Sequence, residues 1–148
     1  MAVRARNATM MTSARVLSSC LILFSIPLHT QTLHAGEAII RIQRRYAAAP
    51  PPNTVDTIKA GDPNTPVTGI ATTFLDTMDV LREAVRREDN LIITHEPTFY
   101  NHLDDTKFFI DDPVYKEKLA FIERHHLVIF RLHDEIHADR TDHILAGM

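Results

Sequence analysis

The hydrophobic pattern of the chain predicts four strands. Residues 91–94 (LIIT) and 127–132 (LVIFRL) are nearly continuous apolar runs, typical of strands buried on both faces of a parallel sheet. Residues 67–74 (VTGIATTF) are rich in β-branched side chains, and residues 55–59 (VDTIK) alternate with a period of two. The segment 60–66, dense in Gly, Pro, Asn and Asp, separates the first two strands as a turn.

Helical spacing of apolar residues alternates with these strands. The pattern predicts helices over residues 36–46, 75–88 and 140–146. A further helix begins at Asp112-Pro113, because proline favours the first helical position, and runs to about His125. Strands that alternate with such helices imply right-handed βαβ units. The sequence therefore predicts an α/β fold with a largely parallel mixed sheet flanked by helices.

The first 35 residues resemble a secretory signal peptide. They carry arginines and no acidic residue, then an apolar run over residues 16–28, then the small residue Ala35 before a cleavage point. The run is too short for a membrane span, which needs about 20 residues. A buried core helix is the alternative, but Pro27 fits it poorly, and a lipoprotein-like box at Cys20 lies too early in the run. We expect an exported protein, periplasmic or secreted, without membrane attachment after cleavage.

The expected organisation has three parts. Residues 1–35 are the leader, residues 36–53 form a helix and a proline-rich linker, and residues 54–148 form the α/β domain. The linker includes the stretch AAAPPPN, in which proline must end the preceding helix.

Composition narrows the classes of function. The 148 residues are 45% hydrophobic and 24% charged, which is near the norm for a globular domain. A net charge of -3 and the absence of Trp argue against a nucleic-acid partner. The single Cys excludes an internal disulfide and a Cys-rich zinc site. Histidine is unusually frequent, and every His after residue 35 lies between His95 and His143.

Two polar clusters follow the two most apolar strands. One is His95-Glu96-Pro97 followed by His102, Asp104 and Asp105, and the other is the segment 133–137 (HDEIH) followed by Asp139. Because carboxyl ends of parallel strands meet at one edge of a sheet, we expect the two clusters to meet. Imidazole and carboxylate together suit Zn, Mn, Fe or Ni. His95, Glu96 and His137 are the predicted metal ligands.

Histidines in these positions can also have roles other than metal binding. A single His at a strand end often serves only as a hydrogen-bonding residue, and His102 stays ambiguous on this basis. His125 and His126 end a predicted helix, where the helix dipole favours a cation, so they are not assigned to the site. His143 is expected to be exposed on the last helix. The sequence contains no Gly-rich phosphate loop and no GxSxG nucleophile motif.

Two segments of the chain resemble family signature motifs. Residues 90–99 (NLIITHEPTF) resemble the motif DLIISHHPLIF, and residues 128–137 (VIFRLHDEIH) resemble the motif AVYSAHTNLD. Both motifs are signatures of the Nif-three-like dinuclear-metal proteins, also called GTP cyclohydrolase type-two homologues. The resemblance runs from about Thr54 to Met148 and covers only the N-terminal half of the family fold. HEP in place of HHP looks like an exported variant.

The resemblance also implies roles for individual residues. His95, Glu96 and His137 fall on family ligand positions, and the two that differ from the usual residue can still bind metal. His133 matches the first His of the second motif and is expected to support the ligands. His102 and Asp134 are further supporting or substrate-binding candidates. The family takes additional ligands, a His and a Glu, from a C-terminal half that nothing in this chain matches.

The function implied by the resemblance is hydrolysis that depends on a dinuclear metal centre. Divalent ions (Zn, Fe, Mn or Ni) would acidify water for attack on a nucleotide-like or phosphate-like small molecule. No catalytic residue is assigned. A non-catalytic metal-binding or assembly protein and an inactive fragment of a longer family member stay open as alternatives. A homo-oligomer is a further expectation.

Overall fold

The computed structural model describes residues 31–46, 51–138 and 143–147. The predicted leader lies almost wholly outside the described residues, as does most of the AAAPPPN stretch. Among the described residues, no helix is long and apolar enough to cross a bilayer.

Four short strands form one mixed sheet, as the sequence predicts. In chain order they are β1 (Ile58–Ala60), β2 (Ile70–Thr73), β3 (Leu91–Thr94) and β4 (Val128–Arg131). Their order across the sheet is β1-β4-β3-β2, in which β2, β3 and β4 are parallel and β1 is antiparallel to β4. Every residue of β3 and β4 is buried, because both strands are covered on both faces.

Helices cover both faces of this sheet, and two short helices follow the last strand in the chain. They are α1 (Ala35–Gln43), α2 (Met78–Arg86), α3 (Pro113–Arg124), α4 (Asp134–Ala138) and α5 (His143–Gly147). A short 3₁₀ turn spans Lys107–Phe109. Successive strand residues point to opposite faces, so the strands contribute to two cores. One core joins α1 to alternate residues of β3 and β4, and the other joins α2 and α3 to the residues between them.

Local capping explains where the helices begin. Asp112 accepts hydrogen bonds from Val114 N (2.8 Å) and Tyr115 N (3.0 Å), and α3 starts at Pro113 as predicted. The prediction for α2 was wrong by three residues, because Thr77 caps it by accepting from Val80 N. Leu75, predicted on the inner face of that helix, precedes it and is 45% exposed.

The first strand also differs from its prediction. β1 covers residues 58–60, whereas the pattern predicted residues 55–59. Residues 54–56 instead bond to the start of α4, a helix that the sequence pattern did not predict. This packing brings the segment before β1 to the carboxyl end of β4, where the histidines lie.

Candidate metal centre

Three histidines meet at the carboxyl end of the parallel strands. His95 directly follows β3, His133 follows β4 after one residue, and His137 lies on α4. One nitrogen from each ring can be chosen so that all three atoms lie within 4.8 Å of one another. The two polar clusters of the sequence therefore meet in space. His95 is buried, His133 is half-buried and His137 is exposed.

The distances between the rings suit metal ligation. Nε2 of His95 and Nε2 of His137 are 3.3 Å apart. Two nitrogens bound to one tetrahedral zinc ion at about 2.0–2.1 Å are separated by about the same distance. The same separation would also allow one ring to donate a hydrogen bond to the other. The position of the third ring favours a metal site over a hydrogen bond between two rings. The His133 ring stacks on the His95 ring with centroids 4.6 Å apart, and it meets the His137 ring edge-on at 4.8 Å.

The backbone fixes the orientation of His95. Its Nδ1 lies 3.2 Å from the carbonyl oxygen of Leu132, which can only accept, so Nδ1 carries the proton. The lone pair is then on Nε2, the atom that faces His137. Burial lowers the pKa of His95, and the positive charge that His133 and His137 can carry lowers it further, against opposing effects of Leu132 and Glu96. His95 is therefore held in the neutral form that binds metals.

Asp134 fixes the second ring. One carboxylate oxygen lies 3.0 Å from Nδ1 of His133, and the other accepts hydrogen bonds from Thr54 Oγ1 and Val55 N, both at 2.9 Å. Partial burial raises the pKa of Asp134, but the hydrogen bonds from Val55, His133 and Thr54 together bring it down to about 2. The ionised carboxylate therefore accepts a hydrogen bond from Nδ1–H of His133, which leaves Nε2 of that ring as the ligand atom.

Asp56 fixes the helix that carries the third ring. The buried carboxylate accepts from the backbone N–H groups of His133 (2.7 Å), Asp134 (2.9 Å) and Glu135 (2.8 Å). A carboxylate in this position satisfies the unpaired N–H groups at a helix start and faces the positive end of its dipole. Sequence analysis missed Asp56, because it is 77 residues from His133 and no local motif marks it.

Arg131 at the end of β4 holds the backbone of the segment from His95 to His102 by hydrogen bonds. Its side chain is fully buried at the end of β4, and Nε donates to the carbonyl oxygen of His95 at 3.1 Å. The guanidinium also donates to the carbonyl oxygen of His102, and Nη2 lies 3.4 Å from Nδ1 of His102. Arg131 can only donate, so this contact assigns the His102 proton to Nε2. The His102 ring is exposed and lies 5.2 Å from the His133 ring, at the margin of the cluster.

Glu96 is not one of the three clustered residues. It is half-buried, and its backbone N–H donates to the carbonyl oxygen of Phe74 at 2.8 Å. Its negative charge raises the pKa of His95, which places it near the cluster electrostatically. Coordination by Glu96 stays a prediction. His133, expected to support the ligands, has its ring within the cluster itself.

An apolar cavity of about 420 Å³ adjoins His95 on the α1 side of the sheet. The Phe74 ring forms one wall, 5.2 Å from the His95 ring. Among the residues that the structure describes, no lysine or arginine lines this cavity. The lining residues are Tyr46, Thr72, Thr73, Phe74, Ile93, Thr94, His95, Leu132 and Ile136. The cavity is therefore suited to an uncharged group.

Sequence comparison alone does not assign the chain to a protein family. No family model matches the chain. No curated protein matches it either.

Solved structures do match the described fold. The chain is similar to the hypothetical protein SA1388 of Staphylococcus aureus, with a TM-score of 0.60 and 17% identity over 74% of this chain and 31% of that one. It is similar to a Bacillus cereus protein related to NIF3, with a TM-score of 0.56 and 20% identity over 72% and 29%. Reduced HcgD from Methanocaldococcus jannaschii gives a TM-score of 0.57 and 15% identity over 78% and 47%.

The chain spans less than half the length of each of these proteins. At such low identity the matches concern the fold, and they confirm the fold expected from the two sequence motifs. The structural neighbours of this chain are NIF3-family proteins, and its α/β domain has their fold.

Proposed function

We propose that this protein binds one divalent transition-metal ion through His95, His133 and His137. The observation that carries the proposal is the convergence of three ring nitrogens within 4.8 Å. Neutral imidazoles suit Zn, Fe, Mn or Ni better than Mg or Ca, which prefer oxygen ligands. The fold shared with the NIF3-related neighbours supports the same function.

The surroundings of the rings support a binding site over a chance cluster. Nδ1 of His95 and Nδ1 of His133 have partners outside the cluster, which are the Leu132 carbonyl and the Asp134 carboxylate. Such partners fix the tautomer and ring orientation of metal-binding histidines. Three protein ligands leave a fourth tetrahedral position open, as in catalytic zinc sites.

Hydrolysis is the activity we propose for a metal-loaded site. A bound ion of this kind acidifies water and polarises a carbonyl or phosphoryl oxygen. In this chain, Glu96 directly follows His95 and is a candidate to hold a proton, and His102 presents an Nε2–H at the margin. The apolar cavity beside His95 would receive an uncharged part of the substrate. The substrate is proposed only as a small molecule.

A non-catalytic metal-binding role is the second candidate. One observation favours it: the clustered ligands are three imidazoles, and no carboxylate among the described residues joins them to bridge a second ion. A dinuclear site would need ligands beyond these three. Turnover on a panel of phosphoesters, nucleotides and amides that is lost in His95→Ala would support the enzyme. Full metal loading with no turnover would support the binding protein.

Metal content of the full-length chain tests the proposal. We expect close to one metal ion per chain after purification and zinc dialysis. His95→Ala and His137→Ala should each lower the affinity by more than about a hundredfold, since each removes a direct ligand. His125→Gln is the matched control, because His125 lies at the end of α3. A folded wild type that retains no metal, or alanine variants that retain it fully, would contradict the proposal.

Export remains our proposal for location, and we propose cleavage before Leu33 instead of after Ala35. The carbonyl oxygen of Leu33 accepts a hydrogen bond from Val67 N at 2.8 Å, and Ala35 is buried as the first residue of α1. Cleavage before Leu33 would preserve these contacts, whereas cleavage after Ala35 would remove them. The N-terminal residue of the exported protein, measured by mass spectrometry, distinguishes the two positions.

A further inference from the structure

A second cavity, of about 240 Å³, lies between the loop that follows β3 and the first turns of α3. Aromatic side chains make up most of its lining, namely Phe99, Tyr100, Phe109 and Tyr115. Among the described residues, none lines both this cavity and the cavity beside His95. The second cavity is therefore separate from the candidate metal centre, and metal binding does not account for it.

The four rings form two contacting pairs. The Phe99 and Tyr115 rings meet edge-on with centroids 5.0 Å apart, and this pair joins the loop after β3 to α3. The Tyr100 and Phe109 rings are tilted against each other with centroids 4.4 Å apart, and this pair joins the same loop to the 3₁₀ turn. Each ring is thus supported by another ring, so the aromatic wall is formed before a ligand binds.

Two carboxylates hold the backbone that carries these rings. The side chain of Asp104 accepts hydrogen bonds from the backbone N–H groups of Phe99 (2.8 Å) and Tyr100 (3.1 Å). The side chain of Asp112 accepts from the backbone N–H of Tyr115 at 3.0 Å. A wall fixed in this way reduces the free-energy cost of ordering side chains when a ligand binds.

The charges in the lining have partners within the protein. In the part of the chain that the structure describes, the charged lining residues are Asp112 and Lys118. Asp112 accepts two backbone hydrogen bonds at the start of α3, at the positive end of the helix dipole. Nζ of Lys118 lies 3.4 Å from Oδ1 of the buried Asp76 and also donates to the carbonyl oxygen of Thr98. A charged ligand would therefore lose its hydration here without gaining an unpaired counter-ion.

We propose that the second cavity binds an uncharged aromatic molecule of one or two fused rings. The charge balance of the lining favours an uncharged ligand. The volume limits its size, because pockets for drug-sized ligands begin at about 300 Å³. The aromatic wall favours an aromatic ligand over an aliphatic one of equal size, since rings attract one another in edge-to-face and offset-stacked arrangements.

A ligand can reach this cavity from solvent. The most exposed lining residues are Val114, at 71%, and Tyr100, at 57%, and they mark its mouth. Phe99, Phe109 and Tyr115 are only partly exposed and form the interior. Entry at the mouth requires no opening of the fold. The proposal does not depend on metal binding, because none of these residues belongs to the histidine cluster.

An NMR titration of the full-length chain with quinoline tests the proposal. Quinoline has two fused rings and is uncharged at neutral pH. We expect saturable shifts of the backbone N–H signals of Phe99, Tyr100, Phe109 and Tyr115, with a Kd of about 1 mM or tighter. N-methylquinolinium and quinoline-3-carboxylate carry a positive or a negative charge on the same two rings. Each should bind at least about fivefold more weakly, because its charge finds no unpaired partner.

Variants at the mouth locate the binding site. Tyr100→Ala removes one ring from the wall and should weaken quinoline binding about tenfold. Phe108→Ala is the matched control, because it removes a ring that is 86% exposed and lies outside the lining. If Tyr100→Ala disturbs the loop, Val114→Trp provides a second test, since a large side chain at this exposed helix position should block the mouth.

Three results would overturn the proposal. One is the absence of saturable shifts, or shifts confined to residues around His95, which would place quinoline in the other cavity. Another is a charged probe that binds as tightly as quinoline, because it would contradict the uncharged ligand class. The third is equal weakening by Tyr100→Ala and Phe108→Ala, which would indicate adsorption to an exposed apolar surface.

Discussion

Two clusters of polar side chains lie near the carboxyl end of the sheet, and they differ in the partners that their polar atoms contact. On the α1 side, His95 and His133 use their outer nitrogens for hydrogen bonds and direct their inner nitrogens towards each other. On the α2–α3 side, Asp76 is fully buried and its Oδ1 lies 3.4 Å from Nζ of Lys118. Lys118 also donates to the carbonyl oxygen of Thr98.

This difference indicates which of the two clusters is suited to bind a ligand. Lys118 partly compensates the charge of Asp76, and the pair connects α3 to the loop before α2. The three histidines bring one ring nitrogen each to within 4.8 Å of the others and have no such internal cation, and a metal ion would supply one. We therefore assign stability to the first group and binding to the second.

Loss of Lys118 should give the largest stability effect. Lys118→Met leaves the buried Asp76 carboxylate without its cation, and breaking a buried pair in this way costs about 3–5 kcal/mol. Urea unfolding of the full-length chain measures this loss. Zinc affinity of the folded variant should stay unchanged. Lys116→Met, which removes an exposed pair with Asp111, is the control and should change stability by less than about 1 kcal/mol.

The pH dependence of stability should report Asp76. Burial raises the pKa of this carboxyl from 3.8 to about 6, against opposing effects of Lys118 and Thr98. The folded state therefore favours the protonated form, so this contribution is fully present below about pH 3.8 and is lost as the pH rises through about 6. The corresponding loss of unfolding free energy is about 3 kcal/mol.

Asp76→Asn should remove this dependence. The difference in unfolding free energy between wild type and Asp76→Asn, measured from pH 4 to pH 7, isolates the carboxyl from the histidines that titrate in the same range. A difference that stays constant across this range would contradict the raised pKa.

Loss of the Asp134 carboxylate should act on the binding group instead. Asp134→Asn removes the acceptor that holds Nδ1–H of His133, and loss of such partners typically lowers metal affinity by about 10–100-fold. Competition titration with a zinc chelator measures the change. Asp111→Asn, at a fully exposed side chain, is the matched control. An Asp134→Asn affinity equal to that of wild type would mean that His133 is not held as a ligand.

The smallest effect is expected at Glu96. Because this residue is outside the three-histidine cluster, Glu96→Gln should lower zinc affinity by no more than about threefold. A loss above about a hundredfold in the same titration would instead make its carboxylate a direct ligand. The variant thus tests the ligand set expected from the sequence motif against the cluster seen in the structure.

Sequence reasoning succeeded where the signal was local. The apolar runs that became β3 and β4, and the Asp112-Pro113 start of α3, needed no knowledge of distant residues. The meeting of His95 with His137 followed from the rule that parallel strands end at one edge. Two motifs also carried the fold resemblance.

Sequence reasoning failed where the partner is distant in the chain. Asp56 resembled an ordinary position of an alternating strand, but it caps α4 from 77 residues away. Arg131 ends an apolar strand and lies fully buried because carbonyl groups of the loop after β3 satisfy it. Asp76 precedes a helix, where an exposed acid is expected, and only tertiary packing shows its burial against Lys118.

The zinc-edge X-ray absorption spectrum of the zinc-loaded, full-length chain tests the central claim most directly. The account predicts one zinc ion per chain with nitrogen neighbours at about 2.0–2.1 Å and the scattering of three imidazole rings. It also predicts that His133→Ala reduces this to two rings. A folded chain that binds no zinc, or zinc held by fewer than two imidazoles, would contradict the account.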